Sequence, residues 1–218
     1  GRYRGNPDAP IRAFLLPEDR PLTMPDTTVL ASNNAHKMRE IEAVVGSRLS
    51  LVAQREYDVP EAEETGLTFV ENAILKARNA CSHTGLPALA DDSGLEVDCL
   101  DGEPGIYSAR YSGPGATDSR NNARLLDAIR EHPLPRTARF HCVIVLMTHA
   151  TDPDPLIAHG RLEGEIIDTA RGDNGFGYDP IFLLHDRGQT LAEVGDAEKN
   201  RISHRALALE ALAARLGL

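Results

Sequence analysis

Asp91 and Asp92 stand side by side, followed by Ser93 and Gly94, between apolar runs at residues 86–90 and 95–100. Such runs belong in buried strands, and a buried carboxylate is costly unless it is paired, hydrogen-bonded or bound to a metal. Two in succession, at an expected strand end, imply a hard-cation site or an acid/base pair, the chemistry of an enzyme. Glu64, inside an acidic loop over residues 54–67, is a third oxygen donor. With no well-spaced histidine or cysteine set, hard oxygen donors favour magnesium, or manganese as a substitute, over zinc. The expected arrangement has Glu64, Asp91 and Asp92 sharing one ion that bridges phosphate oxygens while one carboxylate activates water.

The cations point the same way. Of 23 basic residues only Lys37, Lys76 and Lys199 are lysine, each within a polar, motif-like stretch. Lysine is a compact point charge suited to phosphate, whereas a surface cation can be either residue. Lys37 follows Ser32-Asn33-Asn34-Ala35-His36 and falls in the first turn of an expected helix. A cation there opposes the helix dipole, and a bound anion would remove the penalty. His204 and Arg205, just after the candidate cap Ser203, repeat the anomaly; salt bridges to nearby acids are the other reading of it. The spaced glycines and Lys-Ser/Thr pair of a P-loop are absent. Phe176, Gly177, Tyr178 and Asp179 follow Gly175 in a loop where backbone can approach a flat ligand. Phe176 or Tyr178 is placed to stack on a heterocycle and Asp179 to accept hydrogen bonds from its ring nitrogens.

The frame around these residues is that of an ordinary globular protein. Its 218 residues suit one domain, or one with two lobes, and 41% are hydrophobic and 26% charged. The net charge of −10 argues against a nucleic-acid polymer as partner but leaves room for a small phosphorylated ligand. No run is long enough to cross a bilayer. Cys81, Cys99 and Cys142 are odd in number and widely spaced, which suits a reduced, cytoplasmic setting.

Residues 1–23 lack periodicity and read as a disordered leader or tag-like tail, with Met24 as a natural start and residues 24–218 as one domain. Residues 28–31 fit a strand, followed by a helix with Met38, Ile41, Val44 and Val45 on one face and Gly46 as its stop. A short strand is expected at 49–53. Thr68 and Glu71 form a capping box for a helix to about Cys81. Thr117 or Asp118 caps another, carrying Leu125, Leu126 and Ile129. Residues 140–147 read as a central strand that turns at 152–155 into a second one over 156–167. Residues 180–184 form a short apolar stretch, and a last helix runs from Ser203 to Leu216. Helices between strands, with one hairpin, give an α/β fold with a mixed sheet.

Taken in order, these segments resemble the inosine/xanthosine triphosphate pyrophosphatase family. The carriers are Leu30-Ala31-Ser32-Asn33-Asn34 with Lys37, Glu64-Thr65-Gly66-Leu67-Thr68-Phe69 with Glu71-Asn72-Ala73, and Ala90-Asp91-Asp92-Ser93-Gly94-Leu95. Residues 104–111, Gly175-Phe176-Gly177-Tyr178-Asp179-Pro180, Lys199 and Ser203-His204-Arg205 complete the set. The resemblance implies an elongated mixed sheet flanked by helices, two lobes around a central cleft, and a homodimer. It implies magnesium-dependent hydrolysis of ITP, dITP or XTP to the monophosphate and pyrophosphate. Asp92 would be general base and metal ligand, with Glu64 and Asp91 assisting. Residues 32–37, Ser93, Lys76 and Lys199 would hold phosphates and sugar. Phe176 would stack on the base, and Asp179, His204 and Arg205 would read its edge. Many members have Thr-Gly-Asn where this chain has Ser32-Asn33-Asn34, a change that asparagine's tolerance of left-handed backbone angles accommodates. The rival readings are a septum-inhibitor-type nucleotide pyrophosphatase acting on pyrimidine or modified nucleotides, which the phenylalanine loop and Ser203-His204-Arg205 disfavour, and a non-catalytic nucleotide-binding module, which could dispense with the carboxylates.

Overall fold

Ala88–Val97 run as one ten-residue strand through the two apolar runs, so the carboxylates sit in mid-strand and not at a strand end. The computed structural model describes residues 27–218; the expected leader and the start at Met24 lie outside them. In chain order the elements are β1 (Thr28–Leu30), α1 (Ala35–Val45), β2 (Leu51–Ala53), α2 (Phe69–Thr84), β3 (Ala88–Val97), α3 (Asp118–Ala128), β4 (Thr137–Met147) and β5 (Leu156–Ile166). They end with β6 (Phe182–Leu184), β7 (Gln189–Thr190), α4 (Asp196–Ile202) and α5 (His204–Leu216). The strands form one mixed sheet in the order β2-β1-β3-β4-β5-β6-β7. Its first three members are parallel and the rest antiparallel.

The long strands serve two lobes. In the first, Leu89 packs with Met38 and Ile41 of α1 and Leu209 and Leu212 of α5 on one face. Ala88 and Ala90 meet Ala73 and Ala77 of α2 on the other face. In the second lobe, Leu95 and Val97 join Leu125, Phe140, Ile181 and Phe182. Asp91, Asp92, Ser93 and Gly94 fall between these cores, where the strand continues but the apolar packing does not. That gap is the cleft.

Local signals account for most element ends. Thr68 Oγ1 accepts from the Glu71 amide at 3.3 Å, while the Glu71 carboxylate accepts from the Leu67 amide at 2.9 Å. The reciprocal bond therefore reaches one residue further back than in the expected box. Gly85, with φ of 69°, ends α2 three residues beyond Cys81. Ser203 Oγ caps α5 through the Ala206 amide at 3.1 Å, as read from the sequence. Among the strands and α-helices β7 and α4 are additional: β7 has two residues, and α4 has only seven, mostly polar, so neither shows a usable period. Gly160 on β5 matters for the site. A Cβ there would overlap the His204 carbonyl oxygen, so its absence lets the start of α5 lie directly on the sheet. No helix among the described residues is long and apolar enough to cross a membrane.

Candidate active site

Strand alternation sends Asp91 and Asp92 to opposite sides of β3. Asp91 takes the α1/α5 side. Its Oδ2 lies 3.1 Å from Lys37 Nζ, 3.2 Å from Arg205 Nη2 and 3.2 Å from Ser93 Oγ. Burial would raise its pKa, but Lys37, Arg205 and Lys76 outweigh that and hold it well below the ordinary 3.8. Asp92 faces α2, where Lys76 Nζ stands 2.7 Å from its Oδ1 and 3.0 Å from Glu64 Oε1. Arg110 binds the other Glu64 oxygen at 3.0 Å. Burial raises the Asp92 pKa, and Lys76 and Lys37 only partly offset it. For Glu64, Lys76 and Arg110 overcome burial and lower it. Asp92 Oδ2 is buried without any protein hydrogen-bond partner.

The three carboxylates expected to share one ion are divided between the two sides of β3, with Asp91 Oδ1 and Asp92 Oδ2 both buried and without a protein partner. Among the described residues no three acidic, histidine or cysteine side chains converge in a metal-ligand cluster. Glu64 and Asp92 remain together through Lys76, whereas Asp91 anchors cations. Asp91→Asn gives a pH-dependent test of that anchoring. Because the folded pKa is depressed, the stabilisation is complete above the unfolded value and fades as pH falls through the folded one. Urea titrations should show wild type and Asp91→Asn differing most near neutrality, with the gap narrowing as pH falls below about 5 and closing only at strongly acidic pH. A constant gap would remove the anchoring role.

Asn34, one of three successive residues able to cap the helix, does so, its Oδ1 accepting from the His36 and Lys37 amides at 3.0 and 3.1 Å. Neither Asn33 nor Asn34 has a positive φ, so no left-handed tolerance is drawn on. Ser32 Oγ accepts from the Asn34 amide, and Asn33 donates to Glu61 Oε1 at 2.9 Å. Ala35 is simply the exposed first residue of the helix. Lys37, its misplaced charge answered by Asp91, lines the cleft.

The other end of the cleft is built by the glycine-rich loop, α4 and α5. Phe176 stacks on His36 at 5.1 Å between ring centroids, with Lys199 Nζ 4.8 Å from the Phe176 ring centre. Asp179 Oδ2 accepts from the Phe176 amide at 2.9 Å and from Lys199 at 2.7 Å. A Cβ on Gly175 would overlap that carboxylate, which is why glycine stands there. Tyr178 is not a stacking platform; it is buried in the second lobe and donates its hydroxyl to the Ser108 carbonyl at 2.8 Å. His204 stacks on Phe140 at 4.8 Å, its Nδ1 buried and without a partner. Burial, then the charges of Arg205 and Lys199, push its pKa well below the usual value, so it is neutral.

Arg205 is 1% exposed, and its donors are committed to Asp91, Ser93 and Glu40. In this arrangement it anchors Asp91 and also lines the cleft beside His204. Glu40, which also binds Lys199 at 2.8 Å, was missed in the sequence, as was Arg110. Glu40 sits on an amphipathic helix with nothing local to mark it; Arg110 lies inside a turn-rich segment already singled out.

These groups line one continuous cleft. A space of about 260 Å³ extends from Lys37, Glu64 and Asp92 to Phe176, Asp179 and His204. A wider one of about 630 Å³ shares Asn34, Lys37, Glu64 and Arg110 with it and reaches Gln54 and Glu61. A mixed open sheet with carboxylates and lysines between two lobes defines an α/β cleft protein. Its relatives are specific. The sequence profile of the Ham1 family matches residues 28–215, and the chain belongs to that family. A dITP/XTP pyrophosphatase of Thioalkalivibrio sulfidiphilus (strain HL-EbGR7) is 58% identical over 191 residues, 86% of this chain and 97% of that protein. A protein of the same name from Escherichia coli O157:H7 is 55% identical over 186 residues, 84% of this chain and 94% of its own. The structure of a HAM1 protein from Coxiella burnetii matches with a TM-score of 0.83 at 50% identity, covering 88% of this chain and 98% of that one.

Proposed function

We propose that this protein hydrolyses the non-standard purine nucleoside triphosphates ITP, dITP and XTP to the monophosphate and pyrophosphate. The observation that carries the reading is the Asp92–Lys76–Glu64 arrangement at one end of a cleft whose other end holds Phe176, Asp179 and His204. The shared name of the close relatives supports the substrate class.

Asp92 takes the proton from the attacking water, since burial makes it a stronger base than a free aspartate. The phosphoanhydride bond between the α and β phosphates breaks, and pyrophosphate leaves with the electron pair. Lys37 and Lys76 offset the charge of the triphosphate. Phe176 stacks on the base. His204 Nδ1, buried and unpaired, is a polar atom that a base edge can satisfy. A buried donor matched to the 6-oxygen loses its partner with adenine, and such sites discriminate by on the order of 10⁴.

The residues fit a divalent cation. Asp92 Oδ2 is a buried carboxylate oxygen with no protein partner, and Glu64 is held on the same ammonium as Asp92. Two carboxylates completed by phosphate and water suit magnesium, or manganese in its place. Asp92 and Glu64 would hold the ion, which when bound neutralises charge developing on the phosphates.

Purified protein assayed with ITP, XTP, dITP, GTP, ATP, dTTP and UTP tests the proposal. Pyrophosphate should appear from the first three, stop on chelation and return with magnesium. Preference for dTTP or UTP over ITP, or release of orthophosphate, defeats it. Lys37→Ala should raise KM for ITP by about ten- to a hundredfold, the loss of one charge-assisted contact; an unchanged KM removes Lys37 from the phosphate site. The protein is further taken to act as a homodimer, on the family resemblance, and in the cytoplasm, in keeping with three free cysteines. Light scattering and fractionation check these two points.

A further inference from the structure

We propose that Asp118 and Asn122 of α3 are positioning residues for the purine base, because together they fix the loop segment that carries the Phe176 ring. This deepens the proposed function and rests on it. Asp118 Oδ2 accepts from the Gly177 amide at 2.7 Å, and Asn122 Nδ2 donates to the Gly177 carbonyl at 3.0 Å. The two side chains lie four residues apart, on one face of one helix.

Gly177 has a φ of 64° and Gly175 one of 76°, so Phe176 sits between two residues in the left-handed region. A backbone of that kind has no sheet ladder or helix to hold it. The amides on both sides of the Phe176 α-carbon are nonetheless bound to carboxylates. Its own amide goes to Asp179 and the next to Asp118, both charge-assisted bonds of the stronger class. The following carbonyl is taken by Asn122, and Tyr178 is fastened beyond it through Ser108. Asn121, between the two clamp residues, donates to the carbonyls of Ser108 and Ala109. Helix α3 thus grips the aromatic loop and the segment its tyrosine rests on. Among the described residues, α3 makes no side-chain hydrogen bond or ion pair to Lys37, Lys76 or Glu64, whose polar partners are Asp91, Asp92 and Arg110.

That separation makes the role measurable. Loosening the clamp displaces a stacking ring and leaves the phosphate contacts in place. For Asp118→Ala and Asn122→Ala the expected result is a KM for ITP raised about tenfold with kcat nearly unchanged, since small misplacements of positioning groups carry such costs. Inhibition by inorganic tripolyphosphate, which has no base, stays as in wild type. Hydrogen exchange across residues 174–179 quickens in both variants. Asp118→Asn, which keeps an acceptor for the Gly177 amide, restores most of the ITP affinity. Thr117→Ala removes the cap of α3, which accepts from the Arg120 amide, without touching Gly177, and its KM stays near wild type.

The inference is overturned if exchange at 174–179 is unchanged, if ITP and tripolyphosphate weaken equally, or if Thr117→Ala reproduces the effect. Failure of the functional reading looks different: wild type then releases no pyrophosphate from any purine triphosphate, and hydrogen exchange still decides whether α3 holds the loop.

Discussion

Asp92→Asn should lower kcat for ITP by on the order of 10²- to 10⁴-fold, the range for removing a positioned general base. The amide keeps the shape of the side chain and can still accept from Lys76, so the fold should be retained. What it loses is the charge and the basicity that burial confers on Asp92. Far-ultraviolet dichroism and the urea midpoint should stay close to wild type while single-turnover rates collapse. Turnover within about tenfold of wild type would transfer the base to another residue. Glu64→Gln is the useful comparison. Glu64 is held below the ordinary carboxylate range by Lys76 and Arg110 despite its burial, so it is a weak proton acceptor. Its loss should appear chiefly as a raised magnesium requirement and not as a vanished pH-dependent step.

Arg205→Ala should destabilise the protein by about 3–5 kcal/mol, the usual cost of removing one partner from a buried ion network. The guanidinium answers Asp91 and Glu40 together, and both carboxylates stay in the interior when it goes. Asp91 then keeps only Lys37 and Ser93, and Glu40 keeps only Lys199. Urea denaturation at neutral pH reads the loss, and a change below about 1 kcal/mol would show that the network relaxes without its central cation. Arg205→Lys should recover little, because one ammonium cannot reproduce bonds made from three nitrogens of a planar group.

Much of this arrangement was legible in the sequence, and the failures have physical causes. Thr68 and Ser203 marked two helix starts correctly, and the structure chooses Thr117 over Asp118 for a third, because a capping side chain acts within three residues of itself. The apolar run at 140–147 announced a central strand, and β4 is the fourth of seven. The strand through Asp91 and Asp92 was misplaced because apolar pattern stops where a core stops, whereas backbone pairing does not. Val143 and Ile144 face Asp92 and Asp91 across the ladder, and no local signal reports that. Lys37 and Arg205 stood out as cations in first helical turns, and each is paired with an acid, Asp91 for Lys37 and Asp91 with Glu40 for Arg205, the salt-bridge alternative to a bound anion. The acid that answers Arg205 from α1, Glu40, lies 165 residues away along the chain, and its helix gives it no distinguishing mark. His204 and Phe176 were identified by type, but only the fold shows one neutral against Phe140 and the other against His36.

The unbroken run of β3 and β4 past the cleft also governs how the molecule can move and melt. Ten paired residues cross from one lobe to the other with no linker between them. Any widening of the cleft is therefore a change in sheet twist spread over many backbone bonds, stiff and small in amplitude, in place of a swing about a few loop residues. The same ladder denies either lobe a separate existence: pulling one apart strips hydrogen bonds from the other. One cooperative unfolding transition is the expected result, coincident by near- and far-ultraviolet dichroism, and two separate transitions would show that the lobes melt apart.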